Sequence, residues 1–288
     1  MIASRPAGTN PAGPLSVGYG ISRGGIFAAA GILAALNAQA DQLLSAFASQ
    51  PAAEAITGLA GISAVIWAAM AASCKIGNES TKRLHTTRDL SVLICIVSLC
   101  FVPISYAAQL ALLLCGGYLV GTSRPGDPER RAALVLLALT GPLIWGRLLL
   151  HVLEIPILAL DAHLIGATVG TQVDGNVVHF ADASGHFIIG GPCSSVHNMS
   201  LAIVLWTTAA MLFRIRIDRK YIFIGLGMVA FMFALNILRL SAMAVFPAEF
   251  DLIHTGAGAV LFSWVGLIGT GALAGFGVVH AAPAREQH

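Results

Sequence analysis

Residues 194–246 read SSVHNMSLAIVLWTTAAMLFRIRIDRKYIFIGLGMVAFMFALNILRLSAMAVF, and the class of the fold follows from them. Two apolar runs, 194–213 and 221–246, flank a short loop that carries Arg214, Arg216, Arg219 and Lys220. A helix needs about 20 apolar residues to cross a bilayer, and Lys and Arg collect in short loops on the cytoplasmic side. The stretch therefore predicts two transmembrane helices joined inside, with residues near 194 and 246 both at the outer surface.

The rest of the chain repeats the pattern. It is 57% hydrophobic and 10% charged, with a mean hydropathy of +0.81, whereas soluble domains run at about 45–50% and about 25%. Further apolar runs lie at 24–47, 53–74, 132–155 and 254–280. Residues 88–121 are too long for one crossing and contain Pro103, so they read as a hairpin of 86–102 and 104–121. The expected fold is an all-α polytopic membrane protein with about eight transmembrane helices, forming one integral membrane domain over 1–288.

The remaining basic residues agree with that count. Lys75, Lys82, Arg83 and Arg88 fall in one loop, and Arg124, Arg130 and Arg131 in another. Arg5 and Arg23 precede the first run, and Arg285 follows the last. Eight crossings place all of these inside, with both termini cytoplasmic and the chain multi-pass in the inner (cytoplasmic) membrane. Segments 156–192 and 247–253, which contain no Lys or Arg, then lie outside. A net charge of +2 gives no basis for a nucleic-acid partner, so the lipid bilayer is the expected surrounding. The competing reading of the first residues is a signal peptide ending near Ala38-Gln39-Ala40. Its leading 24 residues would be long for a signal, and the apolar run continues beyond it.

The outer segment 156–192 has Val, Ile and Phe runs broken by Asp174-Gly175-Asn176 and Ala183-Ser184-Gly185. Such turn signals predict a small extracytoplasmic β-hairpin or three-stranded element. Leu158–Gly166, just before it, reads as a short interfacial helix. Segment 156–192 leads into Cys193, which alone among the five cysteines sits in a polar, Gly-rich context. Cys74, Cys95, Cys100 and Cys115 belong to apolar runs, where a thiol acts as a small hydrophobe.

Ionisable groups in a membrane are costly and are therefore functional candidates. Topology places Cys193 at the outer start of its span, Arg239 in the outer third of 221–246 and His254 at the outer start of 254–280. A helix start stabilises negative charge, as on a thiolate. A histidine can take the thiol proton and return it to a leaving amine, and an arginine can hold an oxyanion or a substrate carbonyl. Ser194 or Ser195 is the expected helix cap. Asn236, one turn before Arg239, is placed to orient its guanidinium. His197, four residues after Cys193, is a rival base on the same predicted helix face. Gly256 and Gly258 would let another backbone approach closely. Arg147 and His151, one turn apart, form a second polar stripe. No cofactor is expected. His179, His186, His197 and Asp182 lack the paired spacing of a metal site.

Three motifs in chain order carry a family resemblance. They are Cys193-Ser194-Ser195, Asn236-Ile237-Leu238-Arg239, and His254 with Gly258 and Phe262. Together, within 170–262, the chain resembles the exosortase/archaeosortase family, whose patterns are Cys-Ser-Gly or Cys-Ala-Gly, Asn-x-x-Arg and His-x-x-x-Gly-x-x-x-Phe. Ser195 departs from the usual glycine. The resemblance implies a membrane cysteine protease or transpeptidase with Cys193, Arg239 and His254 as catalytic residues. Its implied partner is a membrane-anchored secreted protein ending in a sorting signal: a short motif such as Pro-Glu-Pro, an apolar helix and a basic tail. The acyl group would pass to water or to a glycan or lipid acceptor, in pathways linked to exopolysaccharide. The alternatives are a non-enzymatic transporter or assembly subunit in exopolysaccharide export, and a transferase using Asp161, Asp174 or Asp182.

Overall fold

The computed structural model describes residues 22–49, 51–82 and 86–281. Arg5, Arg83 and Arg285, used above for orientation, lie outside the described residues. Among the described residues, five helices are long and apolar enough to cross a membrane: Ser105–Thr122, Pro128–Val169, Ser195–Leu212, Arg219–Val245 and Ala257–His280.

In chain order the helices begin with α1 (Arg23–Asn37), α2 (Ala40–Ser49), α3 (Ala52–Thr57), a 3₁₀ turn at Leu59–Gly61, and α4 (Ala64–Asn78). The apolar runs 24–47 and 53–74 are thus each broken rather than continuous. α5 (Thr87–Cys100) and α6 (Ser105–Thr122) follow as a hairpin with Pro103 between them, as read from the sequence. Helix starts carry side-chain caps of the usual chemistry: Ser22, Ser63, Thr86, Ser194 and Asp218 each accept from a backbone N–H in the first turn.

The next stretch differs from expectation. α7 (Pro128–Thr140) passes through a π-helical turn, Gly141–Trp145, into α8 (Gly146–Val169) without ending at Pro156. Pro142 and Pro156 each lack an amide donor and crowd the preceding turn. The results are the π turn at Pro142 and a kink at Leu153 (φ −120°) before Pro156. The helix continues because Leu158, Ala162 and Ile165, spaced three or four apart, bury one face. It stops at Gly170, which adopts φ +79° and closes the last turn onto Gly166. The non-helical part of 156–192 is therefore shorter than expected, and the interfacial helix is the end of α8.

Three short antiparallel strands follow, β1 (Val173–Asp174), β2 (Val177–His179) and β3 (His186–Ile188), in the order β1-β2-β3. A 3₁₀ turn at Gly191–Cys193 leads to α9 (Ser195–Leu212) and α10 (Arg219–Val245). The short α11 (Phe250–His254) and then α12 (Ala257–Ala281) complete the described chain. His254 thus ends a separate one-turn helix instead of opening the last span. Added Cβ atoms at Gly256 and Gly258 would stand 3.0 and 2.9 Å from backbone atoms of Leu252 and Ile253. The close backbone foreseen at these glycines is that of α11 itself.

Among the described residues three apolar clusters form: a small one of Ala202, Ala209, Met228 and Ala274 joining α9, α10 and α12, and two larger cores. The larger joins α1, α4, α6, α7 and α9 around Phe27, Leu112, Leu136 and Val204. The smaller joins α8, the sheet and α10 through Leu158, Val178, Phe187 and Leu240, with Cys193 and Ile253 at its edge.

The basic loops meet on one face. Glu79 pairs with both Arg131 and Arg214, and Lys82 pairs with Asp127. Partial burial pushes Glu79 up, but hydrogen bonds from Arg214 and Arg131 outweigh it and hold its carboxyl below the usual value. Its contribution to stability is present above the unfolded carboxylate range and is lost as pH falls through the lowered folded value. Arg23 is buried and binds Asp89 through Nε at 3.0 and 3.1 Å. Arg214 follows the end of α9 whereas Cys193 precedes its start, so the basic face and Cys193 lie about 27 Å apart at 1.5 Å per residue over the 18 residues of α9.

Candidate functional site

Cys193 Sγ lies 3.6 Å from His254 Nε2, within hydrogen-bond reach of a sulfur. Both side chains are half-buried. Arg239, on α10, donates from Nη2 to the His254 carbonyl at 2.7 Å and from Nε to the Ile253 carbonyl at 3.3 Å. The last carbonyls of a helix lack partners within it, so the guanidinium secures the end of α11 and with it the His254 backbone. Arg239 Nη1 makes no hydrogen bond among the described residues, which leaves donors for a substrate.

Asn236 does not hold Arg239 as the sequence suggests. It donates from Nδ2 to the Cys193 carbonyl at 2.9 Å and to Ser195 Oγ at 3.2 Å. Its Oδ1 accepts from Asn198 Nδ2 at 3.0 Å. The side chain therefore steadies the Cys193 backbone from the neighbouring helix. His197 is also repositioned. Cys193 belongs to the 3₁₀ turn and precedes α9, so the expected shared helix face does not exist. The His197 side chain lines two cavities that meet at Pro192, one of them shared with Arg239. Ser194 caps α9 by accepting from the Val196 amide at 3.2 Å.

Ser195 has a partner that sequence reasoning missed. Asp161, on α8, accepts from the Ser195 amide at 3.1 Å and from Ser195 Oγ at 3.0 Å. Asp161 and Ser195 are each only 2% exposed, so neither bond competes with bulk water. A carboxylate from another helix thus caps α9 just after Cys193, where negative charge also meets the positive end of the helix. The serine in place of glycine completes the contact through its hydroxyl. The signal available in the sequence was Asp161, an acid seven residues after Glu154 inside the apolar run LEIPILALDAHLIG.

Asp161→Ala leaves two buried Ser195 donors without this acceptor. At about 1–3 kcal/mol per orphaned group, a loss of about 2–4 kcal/mol is expected, read as a lower Tm in detergent. Ser195→Gly keeps the amide bond and should cost about 1–2 kcal/mol. Equal Tm values for Asp161→Ala and the parent would contradict the assignment.

The sheet braces the site from outside. Phe180, Phe187 and Phe250 pack as a triad with centroids 5.6–6.0 Å apart, and Phe250 lies 5.2 Å from the His254 ring. The Ala181 amide donates to the Ala244 carbonyl at 2.9 Å, tying the strand loop to the end of α10. His179 and His186 face each other across β2 and β3. Asp182 accepts from Ser184, whose hydrogen bonds hold its carboxyl below the usual value.

A groove of about 570 Å³ runs from Pro192 and Arg239 along Leu201 of α9, Met232 of α10 and Trp264 and Leu267 of α12. Val260 and Trp264 on its rim are more than half exposed. An apolar channel thus leads to the guanidinium and to the residue preceding the thiol. Comparison with family models, with curated proteins and with solved structures finds no match for this chain.

Proposed function

We propose that the protein is an exosortase-like membrane cysteine protease or transpeptidase that processes C-terminal sorting signals of secreted proteins. The observation that carries this reading is the approach of Cys193 Sγ to His254 Nε2, 3.6 Å, beside an arginine anchored on the His254 carbonyl. His254 takes the thiol proton as sulfur attacks the scissile carbonyl, and Arg239 faces the oxygen on which charge develops. His254 then protonates the leaving amine. Water or a glycan or lipid acceptor releases the acyl group.

The substrate's apolar tail helix would lie in the groove between α9, α10 and α12, which brings the peptide just outside the tail to Arg239. Eight crossings, with the basic face cytoplasmic and the Cys193 face extracytoplasmic in the inner membrane, complete the reading. The clustering of Arg131, Arg214 and Lys82 in ion pairs at the face opposite Cys193 supports it. Of the three crossings beyond the five long helices, α5 has 14 residues and α4 has 15. Each spans roughly 21–23 Å, so the bilayer would be thin there or their flanking turns would complete the crossing.

A membrane-impermeant maleimide tests the placement. In cells with the outer face accessible, it is expected to modify Cys193 and stop cleavage of a secreted reporter bearing motif, apolar span and basic tail. Modification only after the cytoplasmic face is opened would contradict it.

A further inference from the structure

A second cavity, of about 390 Å³, lies behind the Gly191-Pro192 turn, between that turn, α2 and α8. Arg147, His151 and Glu154 of α8 line it together with His197 of α9. All of these polar groups lie within helices long and apolar enough to cross a membrane. Neither Arg147 nor Glu154 makes a hydrogen bond or ion pair among the described residues. An ionised group in the apolar part of a bilayer normally pairs or faces a polar ligand, because leaving it alone there costs at least about 2.5 kcal/mol. Here a cation and an anion share one cavity without meeting each other. They stand seven residues apart, about 10 Å along the helix.

The flank of the same helix is apolar and open. Leu148, Val152 and Ile155 are 49%, 68% and 81% exposed. At 100° per residue, Leu148 lies beside the Arg147–His151 face. The π turn Gly141–Trp145 forms the cavity floor through Pro142 and Leu143, and such turns often mark functional sites. The ligand that matches is one with a negative and a positive group a few ångströms apart and an apolar tail at the side.

We propose that this cavity binds the headgroup of a zwitterionic phospholipid, its phosphate on Arg147 and its ammonium on Glu154, with an acyl chain along the exposed flank of α8. The inference does not depend on the catalytic reading. His151 and His197 supply further donors near the phosphate, and a planar guanidinium can bind two phosphate oxygens at once. A soluble anion would gain nothing from Glu154 or from the apolar flank.

The test is native mass spectrometry of the full-length protein in neutral detergent, titrated with dioleoylphosphatidylethanolamine. One retained lipid per chain is expected, with at least tenfold weaker retention in Arg147→Gln and, separately, in Glu154→Gln. Arg216→Gln, on the opposite face, should match the parent. Dioleoylglycerol, which has the same tails and no headgroup, should not be retained. Four outcomes would overturn the proposal: undiminished retention in both α8 variants, stronger retention in Glu154→Gln (the mark of a simple anion site), equal retention of dioleoylglycerol, or equal stabilisation by inorganic phosphate. Since neither side chain has a hydrogen-bond or ion-pair partner among the described residues, both variants should keep the parent's Tm without lipid. If one does not fold, the other decides.

Discussion

Cys193→Ala is expected to reduce cleavage of a tailed reporter by about 10⁴-fold or more, with Cys193→Ser close behind. Removing a covalent nucleophile removes the pathway and leaves only what binding and charge stabilisation supply. Serine keeps the position but is a far weaker nucleophile next to a base placed for a thiol. The fold should survive both changes. Cys193 Sγ contacts His254 across 3.6 Å and sits at the edge of the smaller core, while the backbone is held independently by Asn236, Asp161 and the Ser194 cap. Reporter cleavage followed by gel shift, beside Tm in detergent, separates the two effects. Cleavage by Cys193→Ala at more than a hundredth of the parent rate would remove Cys193 from the mechanism.

The second large effect belongs to His254. General acid–base catalysis contributes about 10²–10⁴-fold, so His254→Ala should lose activity in that range. His197→Ala should lose at least tenfold less, because the thiol's imidazole contact is to His254 and no hydrogen bond joins the His197 ring to it among the described residues. The contrast is informative because sequence spacing favoured neither histidine. If His197→Ala were the more damaging variant, the base assignment would pass to His197 and the 3.6 Å contact would be incidental.

Much of this architecture is legible in the residues. The Pro103 hairpin, the three short strands and the spans 194–213 and 221–246 follow from length, turn chemistry and charge, which are local. The meeting of Cys193, Arg239 and His254 is legible in the order of the helices: Cys193 just precedes α9, Arg239 lies near the end of α10 and His254 ends α11, which joins α10 to α12. What escaped were choices made by packing. The run 132–155 and the interfacial helix 158–166 read as separate elements, but Leu158, Ala162 and Ile165 give α8 a buried face worth more than the hydrogen bond lost at Pro156. Asn236 was assigned to the arginine one turn away on its own helix, whereas it reaches across to the Cys193 carbonyl. Asp161 and Ser195 are 34 residues apart, and no pattern in either neighbourhood announces the other. Ser195, at the position where the exosortase/archaeosortase pattern has glycine, supplies the hydroxyl that Asp161 binds.

The central claim is that Cys193 forms a thioester with the substrate, and nucleophile competition tests it most directly. Protein in proteoliposomes is given a tailed reporter in the presence of hydroxylamine, and the new C-terminus is identified by mass spectrometry. A thioester yields a hydroxamic acid as the amine displaces the sulfur and the thiol is regenerated. The account predicts the hydroxamate from the parent protein and no product from Cys193→Ala. A hydroxamate formed by Cys193→Ala, or cleavage by the parent that gives only the free carboxylate at saturating hydroxylamine, would contradict it.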